Sequence, residues 1–316
     1  MLAIFSSKMK KRSFTMINSK KMRLTMFAAS MVAAGALTGC FDDKSSNPPG
    51  PTSFSSTASY GALVGASCIV NGAVTPNLTS YTTDGDGLGA ISAVIAGSEY
   101  PLIVSCAGGT YYNEASELSE ANDEDLKSII PTASALADAG GNIAVTSLTS
   151  MAASLYLSLD AADRNSSTAT QSLTNVLKAL APGLGGGNGL DLLRAPTVVK
   201  GPGSTVANDD AGYYAAILAG LAKTGAGLTP PLSPSQLLAQ KLAPGAIAGT
   251  LDTNVVSALQ GNVAAFAGDK GTAALKSKAE LTANAPTATV TKPTNNTGGT
   301  GGTGGTGGTG GSGGQP

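Results

Sequence analysis

Residues able to do chemistry are sparse in this chain and unevenly placed. Asp84 and Asp86 alternate with glycines in Thr82-Thr83-Asp84-Gly85-Asp86-Gly87, and carboxylates at that spacing invite a calcium reading. An EF-hand loop opening at Asp84 needs a third polar ligand where Leu88 stands and an acidic one where Ile95 stands. The segment therefore reads as a hairpin turn; no metal site is expected, and Asp84 and Asp86 are the nearest approach to one. The densest charge is the run Glu114, Glu117, Glu120, Asp123, Glu124 and Asp125, whose spacing fits the solvated face of a helix or loop. A cation site or a docking surface for a basic partner is the sharper alternative for that run. Gly185-Gly186-Gly187 offers backbone N–H groups to a phosphate, but no Gly-Lys-Ser/Thr follows, so nucleotide binding is not expected.

Composition removes further chemistries. None of the 316 residues is His or Trp, and only 12% are charged. A Ser-His-Asp triad, a His-bearing metal centre and a His general base are thereby excluded. Beyond Gly39 no Ser stands three residues before a Lys, so the Ser-x-x-Lys pair is missing as well. A carboxylate pair for glycoside hydrolysis would lack the Trp platform on which sugars stack. The chain is expected to be non-catalytic and to carry no cofactor. Seven of the 19 basic residues precede Leu24 and all 20 acidic residues follow Cys40, which leaves the remainder acidic and a poor partner for nucleic acid.

Basic residues up to Arg23 lead into an apolar run, Leu24 to Leu37, too short to span a bilayer and laid out like the core of a secretory signal. The run ends in Leu37-Thr38-Gly39-Cys40, which resembles the lipobox of bacterial lipoproteins. That resemblance implies cleavage before Cys40, lipidation of its sulfur and acylation of the new N-terminus. Several acyl chains, each contributing about 0.8 kcal/mol per buried CH₂, hold a protein to a membrane where one would not. In Gram-negative lipoproteins an Asp directly after the cysteine marks inner-membrane retention. Phe41 occupies that place, so the resemblance implies the outer membrane. From Phe41 to Ala58 the Ser, Pro, Asn and Gly content reads as a flexible tether.

With Cys40 assigned to lipid, two of the three cysteines remain. Cys68 and Cys106 lie in Ser67-Cys68-Ile69-Val70 and Leu102-Ile103-Val104-Ser105-Cys106, β-branched runs that read as strands, and an oxidising compartment favours a disulfide between them. Short strands separated by turn residues from about Tyr60 to Thr110 suggest a small antiparallel sandwich. Within it Leu63-Val64-Gly65-Ala66, Thr82 to Gly87 and Tyr100-Pro101-Leu102-Ile103-Val104 resemble the carboxypeptidase-regulatory-like, or prealbumin-like, modules of bacterial surface proteins. Gly108-Gly109-Thr110-Tyr111-Tyr112-Asn113-Glu114-Ala115 is similar to a Gly-Gly-Thr-Tyr-x-Asp-Glu-Ala stretch of envelope lipoproteins and repeat adhesins, with Asn113 in the place of the Asp.

Beyond Asn142 the hydrophobic period changes. Ile143 to Thr146 reads as a last strand and Ser147 to about Leu159 as a helix. Leu173, Val176, Leu177 and Leu180 mark one apolar helical face. Further helices are expected over 210–223, 234–242 with Ser233 as cap, 253–266 and 270–281. A Gly- and Pro-rich loop fills 182–208, and the Thr-Gly-Gly repeat from Thr297 to Gly314 cannot build a core. The expectation is thus α+β in two domains: signal peptide 1–39, lipidated cysteine and tether 40–58, β-sandwich with its acidic segment 59–146, helical bundle 147–284 and disordered tail 285–316. The function expected is a lipid-anchored envelope protein that binds or displays, its partner another envelope protein, a glycan or a host surface. A periplasmic scaffold or assembly factor and a carrier of apolar ligands are the alternatives.

Overall fold

The computed structural model describes residues 52–59, 61–242, 249–250, 252–283 and 289–294. The signal segment, Cys40, the first part of the tether and the Thr-Gly-Gly tail lie outside them. All of the described residues belong to one compact unit, Pro48–Pro316.

Its β-region builds two sheets. β2 (Ser67–Asn71), β3 (Thr79–Thr82), β5 (Leu102–Ala107) and β8 (Leu126–Ile130) form an antiparallel sheet in the order β3-β2-β5-β8, while β1 (Thr52–Ala58), β4 (Leu88–Ala93) and β9 (Asn142–Val145) form a second in the order β4-β1-β9. β6 (Thr110–Asn113) and β7 (Leu118–Ala121) make a separate hairpin. β9 departs from the antiparallel expectation, because it lies parallel to β1. The chain returns to this sheet from β8 through a short helix, α1 (Ala133–Asp138), and the left-handed pair Gly140-Gly141, which sets β9 beside β1 in the same direction.

β1 also corrects the expected extent of the tether. Its Ser- and Thr-rich composition suits a linker, yet Phe54, Ser56 and Ala58 point inward and are buried. As the middle strand it satisfies its backbone on both edges, from β4 and from β9. The β5-to-β6 connection depends on Gly109. Its φ is +81°, and a Cβ there would lie 2.5 Å from the Val64 carbonyl oxygen.

Further helices follow: α2 (Ser147–Leu157), α3 (Ser166–Leu180), α4 (Asp210–Ala226), the single turn α5 (Pro234–Leu237), α6 (Thr253–Lys270) and α7 (Ala273–Ala283). Their starts match the capping residues in the sequence. Asn165 and Ser233 each cap in a reciprocal box, with Thr168 and Gln236 reaching back to the cap backbone. The expected helix over 234–242 begins as α5 and continues as a π-helical segment, Leu238–Leu242. α2 packs on β8 and α3, α4 on α6, and α6 on α7. Gly220 permits the α4–α6 approach, since a Cβ there would lie 2.5 Å from Val263 Cγ2. One buried cluster runs from Phe54 and Ile91 through Val104, Ile129 and Leu148 to Tyr214 and Phe266. Each such large side chain taken fully out of water contributes about 1.5–3 kcal/mol. The fold is therefore mixed α+β.

Cys68 and Cys106 are direct partners in the β2–β5 register and are joined by a disulfide. The bond closes a segment with a sequence separation of 38 residues, a constraint worth about 3–4 kcal/mol in the unfolded chain. Replacing both cysteines by Ala should lower the urea midpoint by a stability of that size. Dithiothreitol should do the same to the wild type and have no effect on the double variant.

Candidate functional site

The acidic run forms no helix, and only its end is a solvated loop, where Asp123 and Asp125 are exposed between β7 and β8. Its first part folds as the β6–β7 hairpin, with Glu117 at the turn in a left-handed conformation (φ +56°). Asn113 shapes that turn: its Oδ1 accepts the Ala115 N–H at 2.8 Å and its Nδ2 donates to Glu120 Oε2 at 2.8 Å. The amide suits this place because an aspartate could not donate to Glu120. Ser116 Oγ donates to Glu120 Oε1 at 2.5 Å, and the Tyr111 hydroxyl to Oε2 at 3.4 Å. Hydrogen bonds from Ser116 and Asn113 hold the Glu120 carboxyl below the usual carboxylate range. Burial, reinforced by the charge of Glu120, pushes Tyr111 up to about 12.

After the hairpin Asn122 fixes the path of the chain. Its Nδ2 donates to the carbonyls of Gly108 (3.1 Å) and Glu124 (2.7 Å). The Glu124 carboxylate is thereby brought to the Ser233 hydroxyl at the cap of α5, and the two hydrogen-bond. Between hairpin and helices lies a groove of about 620 Å³, walled on one side by Asn113, Glu120 and Glu124 and on the other by Ala222, Ser233 and Gln236. A second cavity of about 270 Å³ adjoins it, and Glu124 lines both. Lys127 and the first turns of α2 form the second cavity's walls. The groove can attract positive charge and bind hydrogen-bond donors. Its carboxylates are held in place by neutral neighbours, so their charge faces whatever enters.

Glu114 is the residue that sequence reasoning placed wrongly. It is 5% exposed, and its Oε2 has no hydrogen-bond partner. Burial pushes its carboxyl up to about 8, against the pull of its own backbone N–H and of Lys223. The Thr-Tyr-Tyr-Asn run before it was the available signal, since its β-rich composition favours a strand over a helix.

The other sequence candidates lie elsewhere. Asp84 Oδ1 accepts the N–H groups of Asp86 (2.8 Å) and Leu88 (2.9 Å) in the turn between β3 and β4, and Asp86 pairs with Lys200. Neither lines the groove. Among the described residues no three His, Cys, Asp or Glu groups are placed to hold a metal ion. The Gly185–Gly187 segment curls around the chain's own carboxylate: Asp191 Oδ2 accepts the N–H groups of Gly186 (3.1 Å) and Asn188 (3.2 Å). Donors that a phosphate would need are directed at Asp191. No described helix is long and apolar enough to cross a membrane. No family model, curated protein or solved structure matches the chain.

The buried Glu114 sets a pH dependence. In the unfolded chain this carboxyl ionises near its ordinary value of 4.5, whereas the folded protein keeps it protonated up to about 8. The unfolded state therefore binds fewer protons between those values. The stabilisation from holding Glu114 neutral is complete below 4.5 and is lost as pH rises through 8. Each pH unit of that window is worth about 1.4 kcal/mol at most, a few kcal/mol in total. Glu114→Gln should flatten the decline of the urea midpoint across the window and stabilise the protein at pH 8. An unchanged slope would show that Glu114 ionises normally.

Proposed function

We propose that the chain is a lipid-anchored protein of the bacterial outer membrane whose folded region is a non-catalytic binding module. The observation that carries this reading is the disulfide between Cys68 and Cys106. It uses two of the three cysteines and leaves Cys40, the last residue of Leu37-Thr38-Gly39-Cys40, for lipid. A disulfide also suits an oxidising envelope compartment. The segment from Phe41 to Pro51 reaches no farther than about 40 Å even when fully extended, which keeps the folded region close to the lipid surface.

The acidic groove supports the binding part of the proposal. Its carboxylates and amides favour a partner that brings positive charge and hydrogen-bond donors, such as a basic segment of another envelope protein, a host-surface protein or the hydroxyls of a glycan. The resemblance to carboxypeptidase-regulatory-like modules agrees with a role in attachment.

The full chain expressed in a Gram-negative host should incorporate labelled palmitate, and Cys40→Ser should abolish the label. Protease treatment of intact cells should remove the protein while a periplasmic control survives. An unlabelled wild type overturns the anchoring. Protection until the outer membrane is opened overturns surface display and leaves a periplasmic scaffold or a carrier.

A further inference from the structure

We propose that the 270 Å³ cavity at the start of α2 binds a free α-amino acid with an apolar side chain. The observation that points to a ligand is Ser147. It lines the cavity, is 1% exposed, and its Oγ has no hydrogen-bond partner. A hydroxyl buried without a partner costs about 1–3 kcal/mol, which a ligand accepting its proton would recover.

The surroundings of Ser147 define the ligand's chemistry. Ser147 is the first residue of α2. The cap Thr146 takes the N–H of Thr149, and the N–H groups of Ser147 and Leu148 have no acceptor within the helix. The positive end of the helix and the Lys127 ammonium, also in the wall, favour a carboxylate beside Ser147 Oγ. Asp125 lines the same cavity and supplies the opposite charge, suited to an ammonium. Lys127 and Asp125 form no ion pair with each other or with any other described residue. Lys127 is the one cation in this wall and stands with two carboxylates, Asp125 and Glu124, of which Glu124 is engaged by the Ser233 hydroxyl. With the unpaired hydroxyl of Ser147 they fit a zwitterion better than a simple acid or amine.

Size and the remaining wall narrow the class. The volume falls just below the range of about 300–1,000 Å³ typical of drug-sized ligands. Ser150, Ser154 and Ser235 add small polar groups to the wall, while Met151, Leu238 and Ala239 supply apolar surface that a hydrocarbon side chain would cover. The inference rests on the reading of the folded region as a binding module and is independent of lipid anchoring.

The test is isothermal titration of the full chain with L-leucine, L-methionine and L-alanine in turn, followed by N-acetyl-L-leucine and L-leucinamide. At least one free amino acid should bind saturably with one site per chain. Each blocked analogue should bind at least about tenfold more weakly, because each lacks one of the two charges. Ser147→Ala and Lys127→Met should each weaken binding by roughly tenfold while leaving the circular dichroism spectrum unchanged. Should either variant fail to fold, the comparison of analogues on the wild type still decides. Absence of saturable binding by all three amino acids at millimolar concentration overturns the proposal, as does equal binding of the blocked analogues. Such a failure with palmitate labelling and surface exposure intact would sink the amino-acid site alone. Amino-acid binding by a chain that takes no palmitate would sink the anchoring alone.

Discussion

The Thr146 hydroxyl is the point at which strands and helices are joined. It is wholly buried, follows β9 directly and caps α2 by accepting the Thr149 N–H. It also hydrogen-bonds the Tyr214 hydroxyl of α4 at 2.8 Å. Thr149 Oγ1 in turn donates to the Lys127 carbonyl of β8 at 2.7 Å, and Ser150 Oγ accepts the Lys127 N–H at 2.7 Å. One cluster of hydroxyls thus ties β8, β9, α2 and α4 together. In a low-dielectric interior each of these groups is costly if unpaired, so the elements can meet only in the arrangement that pairs them. Burial pushes the Tyr214 phenol well above its ordinary value, which keeps it neutral at this junction.

Both recesses inherit their shape from that junction. Lys127 and Ser147 share the wall of the smaller cavity because Thr149 and Ser150 bind the first turn of α2 to the Lys127 backbone. The larger groove has one wall on α4, which Tyr214 fixes, and the other on the hairpin, which Asn113 and Asn122 fix. The contact between Glu124 and Ser233 closes the hairpin side onto the cap of α5. Charged groups therefore line the recesses, while the parts that position them are mostly neutral amides and hydroxyls.

Local patterns made some of this legible in the sequence. The strands bearing Cys68 and Cys106 were readable from β-branched content, and α3 from the spacing of Leu173, Val176, Leu177 and Leu180. Capping chemistry marked the start of α5, where Ser233 is the cap. β1 escaped because Ser and Thr serve a linker and a central strand equally well. Only pairing with β4 and β9, which is remote in sequence, separates the two. The acidic run misled through its charge, which favours a solvated face. Packing of the hairpin takes Glu114 out of water while leaving Glu117 and Asp123 in it. Lys127 and Ser147 could not be linked from spacing, since the strand and helix that carry them meet only through tertiary packing and hydrogen bonds.

A chain without imidazole and with few charges has a narrow choice of buried polar joints. Ser and Thr hydroxyls supply both donor and acceptor, and they do not titrate in the physiological range. The junction at Thr146 therefore keeps the same pairing across the physiological pH range. Glu114 is the exception among the described residues, a carboxyl that burial holds neutral near pH 7. It stands at the turn of the hairpin, between Asn113 and Ala115 of the groove wall. The pH-sensitive element of this fold thus sits beside the acidic groove and not within the joint that holds strands to helices.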